Sequence, residues 1–147
     1  MGTSWEQWQD WLTQEIGTLG EGEFLNTYGP AVMRERGPGL LGRPRKPEVV
    51  EAGVVVRFLS SQGWLLAESV PAFPTRGEHP VSDEQRRELS ESGWLMPGDP
   101  DYNPVGGPDL RVLLPGAEPG RAAELAVRTY RILGCDDPAR IEHDRGS

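Results

Sequence analysis

The chain of 147 residues has a single cysteine, Cys135, and only two histidines, His79 and His143. One cysteine excludes an internal disulfide and a cysteine-rich zinc site. Neither histidine has a second at metal-binding spacing, and no Ser or Cys motif stands beside either. Long apolar runs are also missing: Val54–Val56 and Leu65–Ala67 are among the longest, against about 20 residues for a spanning helix. No membrane span is expected. Met1-Gly2-Thr3-Ser4-Trp5-Glu6 offers no basic stretch leading into an apolar one, so a cytoplasmic location is the expectation. Positive charge is scarce. Residues 1–33 carry no base at all, and the net charge is −8. Nucleic acid and anionic membranes would be repelled at long range, which leaves another protein as the expected partner.

What is present divides into a few regular elements, separated by many of the 19 glycines and 14 prolines. Ser4 with Gln7 three residues on is a capping-box signature, predicting a helix from about Trp5 to Leu19. Trp5, Trp8, Leu12, Ile16 and Leu19 form its apolar stripe, widened by Trp11. Residues 20–52 read as irregular, apart from a short strand around Phe24–Tyr28. Within them, 34–47 is a basic Gly/Pro segment read as an exposed loop.

From Gly53 the periodicity changes. Val54–Leu59 and Trp64–Val70 flank Ser60-Ser61-Gln62-Gly63 and predict a β-hairpin. Val54, Val56 and Phe58 share one face; on the return strand Trp64, Leu66, Glu68 and Val70 alternate with Leu65, Ala67 and Ser69. Ser82 with Gln85 is a second capping box, opening a polar helix over Asp83–Ser92 that stops at Gly93. A strand follows at Leu110–Leu114, then a helix from Pro119 to Leu133 ended by Gly134. The charged tail, 136–147, is expected to fray. No internal repeat is apparent. The expectation is one α+β domain over 1–147, an antiparallel curved sheet flanked by N-terminal, middle and C-terminal helices.

Candidate chemistry is thin. Gly37-Pro38-Gly39-Leu40-Leu41-Gly42 matches the dinucleotide string, yet Pro44 and Pro47 oppose the helix start that would aim amides at a pyrophosphate. Asp99, Asp101 and Asn103 imitate a calcium loop, but Pro104 stands where glycine is needed and Leu110 where a bidentate glutamate belongs. Asp136 and Asp137 beside Cys135 disfavour a reactive thiolate. No catalytic residue, metal ligand or cofactor is assigned.

The succession Val54-Val55-Val56-Arg57-Phe58 with Trp64–Val70, then Pro80-Val81-Ser82-Asp83-Glu84-Gln85-Arg86-Arg87-Glu88-Leu89 with Gly93-Trp94, and finally Ala123–Gly134 with Asp137-Pro138-Ala139, resembles the TY-chaperone family. These are peptide-binding proteins related to type III secretion chaperones and to YbjN. The resemblance covers about residues 50–140 and rests on the Ser82 helix running to Gly93-Trp94 and on the closing Ala126-Val127-Arg128-Thr129-Tyr130-Arg131 helix. It departs from the family pattern at 99–107 and at the inserted 37–47 loop. The resemblance implies a secretion-chaperone-like sandwich that binds polypeptide segments, such as a secreted effector or client, and performs no chemistry. Trp64, Leu66 and Val70 on the return strand, with Trp94 and Met96, are the expected contact residues, although each suits the core equally well and Leu66 and Val70 suit it better. A homodimer fits this reading. The rival is an immunity or antitoxin-like protein whose acidic surface covers one folded target.

Overall fold

Ser4 ends an extended segment, and its hydroxyl accepts the Gln7 amide at 3.1 Å while the Gln7 side chain accepts the Ser4 amide at 3.0 Å. Two amide donors that a helix start leaves unmatched are thus satisfied, and α1 runs Trp5–Gly17. The same device at Ser82 and Gln85 opens α2, Asp83–Glu91. Pro119 opens α3, Pro119–Ile132. The structure is a computed structural model that describes residues 3–29, 32–34, 48–51, 54–70, 82–95, 99 and 110–147; side chains at 32–34, 48–51 and 70 lie outside that description. None of the described helices is long and apolar enough to cross a membrane.

Among the described residues, seven strands accompany the helices: β1 Phe24–Tyr28, β2 Val32–Arg34, β3 Glu48–Glu51, β4 Val55–Ser61, β5 Trp64–Val70, β6 Leu110–Pro115 and β7 Glu142–Gly146. Five form one open sheet in the order β6-β5-β4-β1-β7, with every neighbour antiparallel. This is the α+β fold expected from the sequence. The β4–β5 turn is a two-residue hairpin in which Gln62 (φ 53°) and Gly63 (φ 81°) both take positive φ, the geometry that matches the right-handed strand twist. Glu21 holds the turn by accepting from the Gln62 amide at 2.8 Å and the Ser61 hydroxyl at 3.1 Å.

Alternation along each strand decides the core. Leu25 and Thr27, Val56 and Phe58, Leu65, Ala67 and Ser69, and Leu110 and Leu114 are all buried and share one face of the sheet. That face packs against Trp8, Leu12 and Ile16 of α1 and the small-residue surface of α3, where Ala122, Ala123 and Ala126 are buried. Trp8 meets Tyr130 edge-to-face at 5.8 Å. The Tyr130 hydroxyl is buried within 2.8 Å of Thr27 Oγ1, which itself donates to the Val56 carbonyl at 2.8 Å. Helix α2 docks on α3 through buried Leu89 and through Gln85, whose side-chain amide donates to the Ile132 carbonyl at 3.1 Å.

Two expectations need correction. Val32–Arg34 and Glu48–Glu51 pair as a separate two-stranded ladder within the stretch read as irregular; the ladder satisfies backbone groups on either side of the Gly/Pro-rich residues. Of the basic 34–47 segment, only Arg34 lies in β2, while 35–47 lie outside the described residues. The tail does not fray. After a 3-10 turn at Pro138–Arg140 it forms β7, paired along its whole length to β1. Glu-His-Asp-Arg-Gly has no apolar side chain, so its place is fixed by the backbone ladder and by polar tethers. Arg145 donates to Glu15 at 3.1 Å and to the Thr18 hydroxyl at 2.9 Å, and His143 lies over Trp11 at 4.5 Å.

Candidate functional site

Pairing register places the residues that point away from the helices in rows across the sheet. Phe24 is opposite Leu59, Leu59 opposite Leu66, and Leu66 opposite Leu113. Four apolar side chains from β1, β4, β5 and β6 therefore stand side by side. With strands about 4.8 Å apart, the row is roughly 14 Å long. Phe24, Leu59 and Leu66 are half-buried, whereas Leu113 is 54% exposed. In the next row towards the hairpin turn, Ser61, Trp64 and Pro115 are paired, and Trp64 is 48% exposed. Among the described residues Trp64 and Leu113 are the exposed large hydrophobics. They lie diagonally across the β5–β6 ladder, close enough for large side chains to form one patch.

The other flank of the apolar row is polar. Asp144, Asn26, Arg57, Glu68 and Arg111 follow one another from β7 to β6. Asp144 accepts from the Asn26 amide at 2.9 Å and the Tyr28 hydroxyl at 2.8 Å. By accepting that hydrogen bond, Asp144 raises the Tyr28 phenol above its ordinary value. The Arg57 guanidinium lies 4.6 Å from the Phe24 ring centre, so it covers the ring while keeping its charge on the surface. At the β7 end the row closes on Gly146, where a Cβ would stand 2.5 Å from the Phe24 ring.

Of the expected contact residues, the structure brings Trp64 and Leu66 together on this face. Val70 ends the same strand, opposite Val55. Trp94 is not part of any surface. It is 1% exposed, and its indole Nε1 donates to Thr129 Oγ1 at 2.8 Å. The strand-like bridge between Leu95 and Arg111 fixes the chain just after it at the β6 edge, which turns the indole inward under α3. Met96 lies outside the described residues, as do His79, the 37–42 glycine string and Asp101 to Asn103. Phe24, Leu59 and Leu113 were missed. A leucine between outward-facing Arg111 and Pro115, in a strand whose Leu110 and Leu114 point inward, carried the signal for Leu113.

The remaining features carry less. A cleft of about 180 Å³ between the end of α2, β6 and α3 is lined by Gly93, Val112, Leu114 and Leu125. The arginines at its rim are paired, Arg121 with Glu118 at 3.5 Å and Arg128 with Glu124 at 2.8 Å. Cys135 is half-buried, and burial is the main reason its thiol is held above the ordinary value; a thiol held protonated is a poor nucleophile. Among the described residues no three His, Cys, Asp or Glu side chains are grouped to hold a metal ion. Comparison with protein-family models, curated proteins and solved structures finds no match to this chain.

Proposed function

We propose that this protein is a non-catalytic, chaperone-like module that binds a polypeptide segment on the open face of its sheet. The observation that carries the reading is the four-strand apolar row Phe24, Leu59, Leu66 and Leu113 on the face opposite the helices, with Trp64 beside it; among the described residues, Leu113 of that row and the adjacent Trp64 are the exposed large hydrophobics. A contiguous exposed apolar patch rimmed by polar residues is a mark of an interaction site. The resemblance to peptide-binding chaperones in residues 50–140 supports the same class of activity. A segment with apolar side chains at alternate positions would lay them along the row, while its polar groups meet Arg57, Glu68 and Arg111.

The half-exposed portions of Trp64 and Leu113 offer on the order of 50–100 Å² of apolar surface each, worth about 1–2 kcal/mol apiece once buried. The test uses a dye-labelled peptide of about ten residues with alternating apolar side chains, followed by fluorescence anisotropy. Wild type is expected to bind with micromolar affinity, and the Trp64→Ala/Leu113→Ala double variant at least about tenfold more weakly with an unchanged melting temperature. Equal binding by the two proteins would remove the face from the account.

A further inference from the structure

We propose that the cleft between the end of α2, β6 and α3 binds a small monocarboxylate, a single anionic head on a short apolar stem. The cleft lies on the helix side of the sheet, away from the face assigned to peptide binding, and its role stands whether or not that face holds a segment.

The hollow follows from how β6 is covered. Leu110, Val112 and Leu114 alternate onto the helix side, and Leu110 and Leu114 are buried, yet Val112 between them is only half-buried. Strand β6 is an outer strand of the five-stranded sheet, and α2 stops at Glu91 without covering it. Gly93, just beyond, takes φ 117°, a conformation in which any side chain would be strained, so the wall it forms is bare. From α3 the buried Leu125 reaches the floor, while Arg121 and Arg128 stand on either side of it, two helical turns apart or roughly 10 Å along the axis. Val112, Leu114 and Leu125 therefore floor a space of about 180 Å³ whose mouth is bracketed by two guanidiniums.

Charge selects the ligand. The ionisable residues lining the cleft are Arg121, Arg128 and Glu124, which makes its mouth net positive on a chain of net charge −8. Both arginine side chains are more than half exposed, and each is paired within its own helix, Arg121 with Glu118 and Arg128 with Glu124. Exposed pairs one turn apart contribute little to stability. A guanidinium offers five N–H donors and a bidentate carboxylate uses two, so each arginine can take a second carboxylate beside the first. A cationic head would meet two arginines, whereas an apolar stem removes the floor from water. A water occupies about 30 Å³ and a methylene roughly as much, so the space suits about six carbons. Hexanoate is the matching probe, and so small a ligand binds with a dissociation constant on the order of 1 mM.

The test titrates hexanoate, to about 50 mM at neutral pH and constant ionic strength, into the full chain labelled at leucine and valine methyls, observed by NMR. The methyls of Val112, Leu114 and Leu125 are expected to shift along one saturable curve, with those of Leu59, Leu66 and Leu113 unmoved. Hexylammonium keeps the stem and reverses the charge, and acetate keeps the head without the stem; each should bind at least about tenfold more weakly. The Arg121→Gln/Arg128→Gln double variant, changed only at exposed positions, should also lose at least about tenfold. Glu124→Gln removes the carboxylate that competes for Arg128 and should tighten binding about threefold, which a loosened helix would not do. No saturable shift at the three cleft methyls, hexylammonium binding as tightly as hexanoate, an undiminished double variant, or weaker binding by Glu124→Gln would each overturn the proposal.

Discussion

Replacing Trp94 with alanine is expected to cost about 3–5 kcal/mol of folding stability, measured by urea unfolding followed through far-UV circular dichroism. The indole is 1% exposed and belongs to the core cluster that joins α1, α3 and the sheet. Truncation would leave a cavity that the surrounding helices cannot close without losing their own packing. A loss of that size is a large part of the total stability of a domain this small. Trp94→Phe should cost far less, about 1–2 kcal/mol. Thr129 Oγ1 would lose the indole donor but would still donate to the Leu125 carbonyl at 2.7 Å, so no hydrogen goes unmatched. A Trp94→Ala variant that melts like wild type would place the residue on the surface instead and contradict the core described above.

The second large effect is alkaline. Burial pushes the Tyr130 phenol above its ordinary value of 10.0, with the Thr27 hydrogen bond opposing it in part. The native state therefore keeps this proton at pH values where the unfolded chain releases it. Stability from this group is complete below pH 10 and falls as pH rises beyond it, by about 1.4 kcal/mol per unit. At pH 12 the loss amounts to about 2–3 kcal/mol. Tyr130→Phe removes the ionising group, so its urea midpoint should decline less steeply between pH 10 and pH 12 than that of wild type. At neutral pH the same variant should lose only about 1 kcal/mol, because Thr27 still donates to the Val56 carbonyl. Parallel declines in the two proteins would show that Tyr130 ionises in the native state.

Local signals were readable and long-range ones were not. Both capping boxes involve residues three apart, and Ser4 and Ser82 each start their helix as the sequence implied. The hairpin was equally local, since Gln62-Gly63 meets the turn requirement without help from the rest of the fold. The two faces of β5 were separable by alternation, but both sets are apolar enough to be core. Only the docking of α1 and α3 decides that Leu65, Ala67 and Ser69 go inside and that Trp64 and Leu66 stay out. Strand β7 was hidden for a different reason: its charged residues have no strand preference, and they are held by β1 and α1 more than a hundred residues earlier in the chain. Trp94 was misassigned because the sequence Gly93-Trp94 gives a turn followed by a large aromatic. Its direction depends on the Leu95–Arg111 bridge.

The central claim is that the sheet face opposite the helices, rather than the cleft between the end of α2, β6 and α3, holds the partner. The most direct measurement is a titration of leucine- and isoleucine-methyl-labelled protein with the alternating apolar peptide, observed by NMR. The account predicts shifts at the Leu59, Leu66 and Leu113 methyls, with those of the cleft residues Leu114 and Leu125 unmoved. Shifts confined to Leu114 and Leu125, or none at all at a saturating peptide concentration, would contradict it.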